Sequence, residues 1–103
     1  EQLRLVPVAD RHVPNCLELA EQAEAAGLRV HVDGTKETVG KKIRAAQLIK
    51  APYVVVVGDR DLEAGTFTVR DRSGQEHAGV PFDRIVSTLV DEARARALEQ
   101  SSF

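Results

Sequence analysis

Cysteine is nearly absent from this chain. Cys16 stands alone among 103 residues, which excludes an internal disulfide and suits a reducing compartment. Long hydrophobic runs are missing too: the longest, Val54 to Val57, is far short of the ~20 apolar residues a membrane-spanning helix needs. Residues 1–10 lack the basic start and apolar core of a signal peptide. No internal repeat, low-complexity tract or Pro/Gly/Ser linker divides the chain.

Catalytic motifs are equally scarce. No G-x-G-x-x-G follows an apolar run, and Gly34 to Lys41 is one residue too long for a phosphate loop, with Lys42 where Ser or Thr should hold Mg²⁺. Both features argue against nucleotide hydrolysis. His12 and Cys16 are four apart, but no second pair stands at metal-ligand spacing. Cys16 is therefore expected to be a small buried hydrophobe, and His12, His31 and His77 to be surface residues. A Cys/His nucleophile needs a third, orienting group, and nothing in the sequence supplies one. The expectation is no catalytic residue, no metal ligand and no cofactor in these residues.

What is present fits one soluble domain over residues 1–103, with 43% hydrophobic and 29% charged residues. Glu1 rather than Met begins it, which suggests a processed chain or a piece of a longer one. Leu3, Leu5, Val6 and Val8 form a first strand; Pro14 opens a helix with Val13, Cys16, Leu17, Ala20 and Ala23 at helical spacing. Gly27 ends that helix, and Leu28, Val30 and Val32 alternate as a short strand. A second helix runs from Thr38 to Lys50, with Val39, Ile43 and Ala46 on one face and Lys41, Arg44 and Gln47 opposite. Pro52 closes it, and Tyr53 to Val57 reads as a central strand covered on both faces. Thr66 to Arg72 and Glu76 to Val80 form a hairpin around Ser73-Gly74. Pro81 opens a last helix with an apolar stripe of Phe82, Ile85, Val86, Leu89, Ala93 and Ala97. Ser101 to Phe103 is a loose tail. The order β-α-β-α-β-β-β-α predicts an α/β fold: a mixed five-stranded sheet with three helices, the first three strands parallel.

Charge is unevenly spread. Lys36, Lys41, Lys42, Arg44 and Lys50 face a single anion, Glu37, between residues 36 and 50, a local +4 in a chain of net charge −2. A positive field on an acidic protein suits a polyanion, although many cationic helix faces are merely solvated. The strand after this helix ends in Gly58-Asp59-Arg60-Asp61, and ligands of open α/β sheets gather beyond the carboxyl ends of parallel strands. A carboxylate there accepts hydrogen bonds from base amino groups while cations hold phosphates; turn capping is the competing role for Asp59 and Asp61. Arg70 and Arg72 share a sheet face with Thr66 and Thr68, an exposed polar face or a platform for a single strand.

An ordered set of residues carries a family resemblance: His12, Gly27-Leu28-Arg29-Val30, Asp33, Gly40-Lys41-Lys42-Ile43-Arg44, Lys50-Ala51-Pro52-Tyr53, Val57-Gly58-Asp59-Arg60, Gly65, Val69-Arg70 and Gly74. From Leu5 to about Arg96 the chain resembles the C-terminal anticodon-binding domain of class II aminoacyl-tRNA synthetases, and is most similar to that of threonyl-tRNA synthetase. The resemblance implies a five-stranded mixed sheet with three helices that docks on the anticodon stem-loop of threonine tRNA and reads splayed bases. It places base reading on Lys36, Lys50, Asp61 and Arg70; Lys41, Lys42 and Arg44 are expected to supply phosphate attraction, with Lys42 and Arg44 the better family matches. Arg70 matches the family outright, Lys50 stands where Arg or Lys is found, Asp61 where Glu is common, and Lys36 where Asn is frequent. The three class II catalytic motifs are absent from these residues, so threonine attachment with ATP, and the family's zinc, would belong to a parent chain. That parent is expected to be cytoplasmic and homodimeric, and the isolated domain monomeric and off the membrane. Two alternatives stand beside it: a prolyl or histidyl synthetase or accessory protein using the domain as an RNA- or protein-interaction module, and an unrelated nucleotide-binding α/β protein.

Overall fold

A computed structural model describes residues 2–49 and 52–100, with side chains of the last helix as far as residue 96. The anticipated tail at 101–103, Lys50, and the Ala97 side chain lie outside the described residues. Strand β1 (Leu3–Pro7) leads through a 3₁₀ turn (Asp10–His12) into helix α1 (Val13–Ala25), then β2 (Val30–Val32), α2 (Val39–Leu48) and β3 (Tyr53–Val57). A short helix α3 (Asp59–Ala64) follows, then β4 (Thr66–Arg70), β5 (Glu76–Pro81) and α4 (Phe82–Gln100). The sheet order is β2-β1-β3-β4-β5. β1 lies parallel to both β2 and β3, while β4 and β5 are antiparallel. The predicted mixed five-stranded sheet is the one observed, with α3 added.

The alternation of each strand divides the core in two. Leu3, Leu5, Val55, Val57, Phe67 and Val69 face α1 and α4, where Cys16, Ala20, Ala23, Phe82, Ile85 and Leu89 meet them. Phe67 and Phe82 pack edge-to-face with ring centroids 5.8 Å apart. On the other face Val6, Val54 and Val56 receive Val39, Ile43 and Ala46 of α2. β3 is therefore covered on both sides, as its unbroken apolar run required. Fully burying a valine contributes about 1.5–3 kcal/mol, so β1 and β3, both covered on two faces, are strongly anchored. Among the described residues α2 packs mainly on β1 and β3, which leaves the same face of β4 and β5 the more open.

Three local details differ from the sequence expectation. α3 replaces a simple turn: Gly58 N–H donates to Asp61 Oδ2 at 2.9 Å, and Gly65 ends the helix in the left-handed region at φ 71°. Leu17 is half exposed, because Cys16, Ala20 and Ala23 fix the buried face of α1 and Leu19 takes the neighbouring inward position. Pro81 closes β5 rather than opening α4, which starts at Phe82.

Candidate nucleic-acid interface

The parallel strands β2, β1 and β3 all deliver their carboxyl ends to one edge of the sheet, and the segments leaving them meet there. After β1 come Val8 to His12, after β2 Asp33 to Thr38, and after β3 Gly58 to Asp61. Because β1 and β3 are neighbours in register, with Pro7 opposite Val57, the Asp10-Arg11-His12 corner lies against Asp59.

His12 is the centre of that contact and is buried, only 2% exposed. This corrects its assignment to the surface. Its Nδ1 accepts the Ala9 N–H at 3.0 Å, and its Nε2 lies 2.7 Å from Asp59 Oδ1. An accepting Nδ1 leaves the ring proton on Nε2, so the imidazole donates to the carboxylate. Arg11 donates to the same carboxylate through Nε and Nη2. The hydrogen bonds from Arg11 and His12 hold the Asp59 carboxyl down at about 2, against a smaller opposing effect of desolvation. Both oxygens of Asp59 are thus engaged within the protein.

Asp61 is placed differently. One oxygen caps the turn through Gly58 N–H, as above, and the residue is only half-buried. Turn capping and base reading, posed as alternatives for this residue, are compatible in one carboxylate. Gly58 is tightly seated: a Cβ there would sit 3.1 Å from Val8 Cγ2. Lys36 is exposed in the bend before Thr38, which caps α2 by accepting Lys41 N–H at 3.2 Å. Arg70 lies elsewhere, opposite Val54 near the amino end of β3, so about 13 Å of strand separates its level from Gly58 at ~3.3 Å per residue. It projects onto the open face in a trough of about 220 Å³ lined by Ile43, Val54, Val56, Thr68 and Glu76, and pairs with Glu76 at 2.5 Å. Lys36 and Asp61 therefore share the carboxyl edge while Arg70 lies on the open face. Lys50 lies outside the described residues.

The basic helix is less available than its composition indicated. Lys42, assigned to phosphate, is 5% exposed and reaches inward, its Nζ 3.4 Å from the Pro7 carbonyl oxygen. The reason is its place on the helix: three residues past Val39 and four before Ala46, it falls beside the buried stripe. Its ammonium acts on Asp33, a buried residue whose Oδ1 accepts from Thr35 N–H and Oγ1 at 3.2 and 2.7 Å. Burial raises the Asp33 carboxyl, but the Thr35 bonds together with Lys42 and Arg4 carry it below the usual range. Burial also pushes the Cys16 thiol up to about 11, with Lys42 pulling the other way, so Cys16 is the inert core residue expected. Lys41 and Arg44 are exposed; Lys41 spends part of its charge on Glu37, 3.4 Å away. Among the described residues no group of three or more His, Cys, Asp or Glu side chains is placed to hold a metal ion, and no helix is long and apolar enough to cross a membrane.

A family model described as an anticodon binding domain matches residues 2–92. The chain belongs to this family. Among curated relatives, the threonine–tRNA ligase of Thermotoga neapolitana is 43% identical over 98 residues, 95% of this chain and 15% of that protein. That of Streptomyces coelicolor is 41% identical over 91 residues, 88% of this chain and 14% of the relative. The chain thus spans about one seventh of these relatives. In solved structures the same fold occurs in the RNA binding domain of threonyl-tRNA synthetase from Cryptosporidium parvum, with TM-score 0.80, 20% identity and coverage of 88% of this chain and 23% of that one. Histidyl-tRNA synthetase from Nostoc follows at TM-score 0.74 and 25% identity, over 93% of this chain and 22% of its own.

The Arg11–His12–Asp59 cluster escaped the sequence reading although its signal was present. The polar corner Asp10-Arg11-His12 and the Gly58-Asp59 pair each follow a strand, and placing those two strands side by side brings them together.

Proposed function

We propose that this domain recognises the anticodon stem-loop of a tRNA, the threonine-accepting one, as part of a threonine–tRNA ligase. The observation that carries the reading is the family match over residues 2–92 with threonine–tRNA ligases as close as 43% identity. Within it, Asp61 offers a base acceptor at the carboxyl edge, Arg70 a cation on the open face, and Lys36 and Lys50 support them. Exposed Lys41 and Arg44 attract phosphates, and Lys42 serves the fold instead. The domain binds and does not react. Attachment of threonine with ATP, and the zinc of the family, belong to the catalytic part of a cytoplasmic, homodimeric parent, whereas the isolated domain is monomeric. The likeness to a histidyl-tRNA synthetase means that the fold by itself does not name the amino acid; side chains at the edge must.

The test is titration of threonine tRNA and a noncognate tRNA at several salt concentrations. Phosphate contacts should make log affinity fall linearly with log salt, and cognate binding should be the tighter. Equal affinity for both tRNAs refutes base reading; no binding at low salt refutes the whole proposal.

A further inference from the structure

Asp61 can present a carboxylate to a base only if the turn that carries it is held still, and part of what holds it comes from outside the turn. Leu62 packs the far side of α3 against the core, and on the β1 side Gly58 to Asp61 is held by side-chain bonds through Asp59. Of its two partners, Arg11 is a poor anchor, with its side chain 69% exposed; such exposed pairs contribute little. His12 is a good one. It is buried, its ring is oriented by the Ala9 N–H, and its Nε2 is 2.7 Å from Asp59 Oδ1. Gly58, next to Asp59, donates the N–H that fixes Asp61 Oδ2. A continuous line of hydrogen bonds and covalent bonds therefore runs from the end of β1, through a buried imidazole, to the carboxylate of Asp61.

We propose that His12 is a positioning residue for base recognition, bracing the Gly58–Asp61 turn through Asp59 so that Asp61 meets a base in one pose. This rests on the proposed anticodon reading. His12 makes two bonds with two ring atoms, and two substitutions separate them. Asparagine places an acceptor where Nδ1 was, keeping the bond from Ala9 while cutting the link to Asp59. Glutamine places an N–H where Nε2 was, keeping the link while losing the Ala9 bond.

Two measurements on each variant decide the matter: amide hydrogen exchange at Gly58 in the free protein, and affinity for threonine-anticodon and altered-anticodon stem-loops. For His12→Asn, Gly58 exchange should accelerate at least about tenfold relative to the β3 amides, and discrimination should fall about tenfold, the scale of losing one well-formed base contact. For His12→Gln both should stay near wild type even where thermal stability drops. A role in folding alone would weaken both variants without this split. The proposal is overturned if His12→Asn leaves exchange and discrimination unchanged, or if His12→Gln loses as much as His12→Asn. If the wild-type domain itself does not discriminate, the anticodon reading fails and the base-positioning role with it, while Gly58 exchange still shows whether the brace exists.

Discussion

Replacing Lys42 separates a structural cation from a phosphate-binding one. The side chain is 5% exposed and its ammonium is 3.4 Å from the Pro7 carbonyl oxygen, a long and therefore weak bond. Most of its contribution to folding is then its aliphatic stem. Lys42→Ala removes three buried methylenes, about 2.4 kcal/mol at ~0.8 kcal/mol each. Release of the ammonium from a desolvated site offsets part of this, and the loss of a favourable partner for Asp33 adds to it. A net cost of about 2 kcal/mol lowers the melting temperature of a domain this size by roughly 8–16 °C. Lys42→Met keeps a stem of similar length and should cost about 1 kcal/mol or less. Neither change should alter the salt dependence of tRNA affinity, whereas Arg44→Gln should reduce the log–log slope by about 0.7–0.9 with little effect on melting. Calorimetry and salt titration on the three variants give the answer. The reasoning fails if Lys42→Met lowers the slope as much as Arg44→Gln while leaving the melting temperature untouched.

Three further outcomes follow from the same geometry. Gly65→Ala, at φ 71°, should destabilise the domain by about 1 kcal/mol, read as a shift of the denaturation midpoint at unchanged slope. The Asp59 carboxyl, held at about 2, is ionised more readily folded than unfolded, where such a group titrates at about 3.9. Its contribution is therefore present above pH ~4 and lost as pH falls through about 2. Asp59→Asn should flatten the stability curve in that window, and an unaltered acid limb would contradict the assignment. Tyr53→Phe removes the hydroxyl that donates to Glu92 Oε1 at 2.6 Å, costing about 0.5–1.5 kcal/mol. In the wild type, burial and Glu92 push that hydroxyl up to about 12, so phenolate absorbance should appear only in strong alkali.

The elements that announce themselves along the chain are those whose partners are generic. Tyr53 to Val57 needed only apolar cover on both sides, and α2 on one face with α1 and α4 on the other supplied it. Gly27, at φ 96°, ends α1 by backbone chemistry alone. What stayed hidden depends on two segments distant in sequence. Lys42 looks like Lys41 on a charge plot, and its inward turn follows only from the packing of Val39 and Ala46 beside it. His12 has no local sign of burial; its environment comes from Asp59, 47 residues away. α3 was masked because Gly58-Asp59-Arg60-Asp61 is good turn sequence, and the distinction rests on the Asp61 cap and the left-handed Gly65. Asp61 could be placed just beyond the β3 run and Lys36 just before α2 from the sequence, but nothing along the chain shows that Arg70 lies a strand's length away, opposite Val54.

The most direct test of the account is Asp61→Asn. Asparagine can still accept the Gly58 N–H and so keep the cap, while its amide replaces the remaining oxygen acceptor with a donor. Affinities of wild type and variant are compared for the threonine-anticodon stem-loop and for one altered only in its anticodon bases. The account predicts unchanged melting, a near-constant salt slope, and discrimination reduced about tenfold. Full discrimination in Asp61→Asn would contradict it, because the Asp61 carboxylate would then not be the reader.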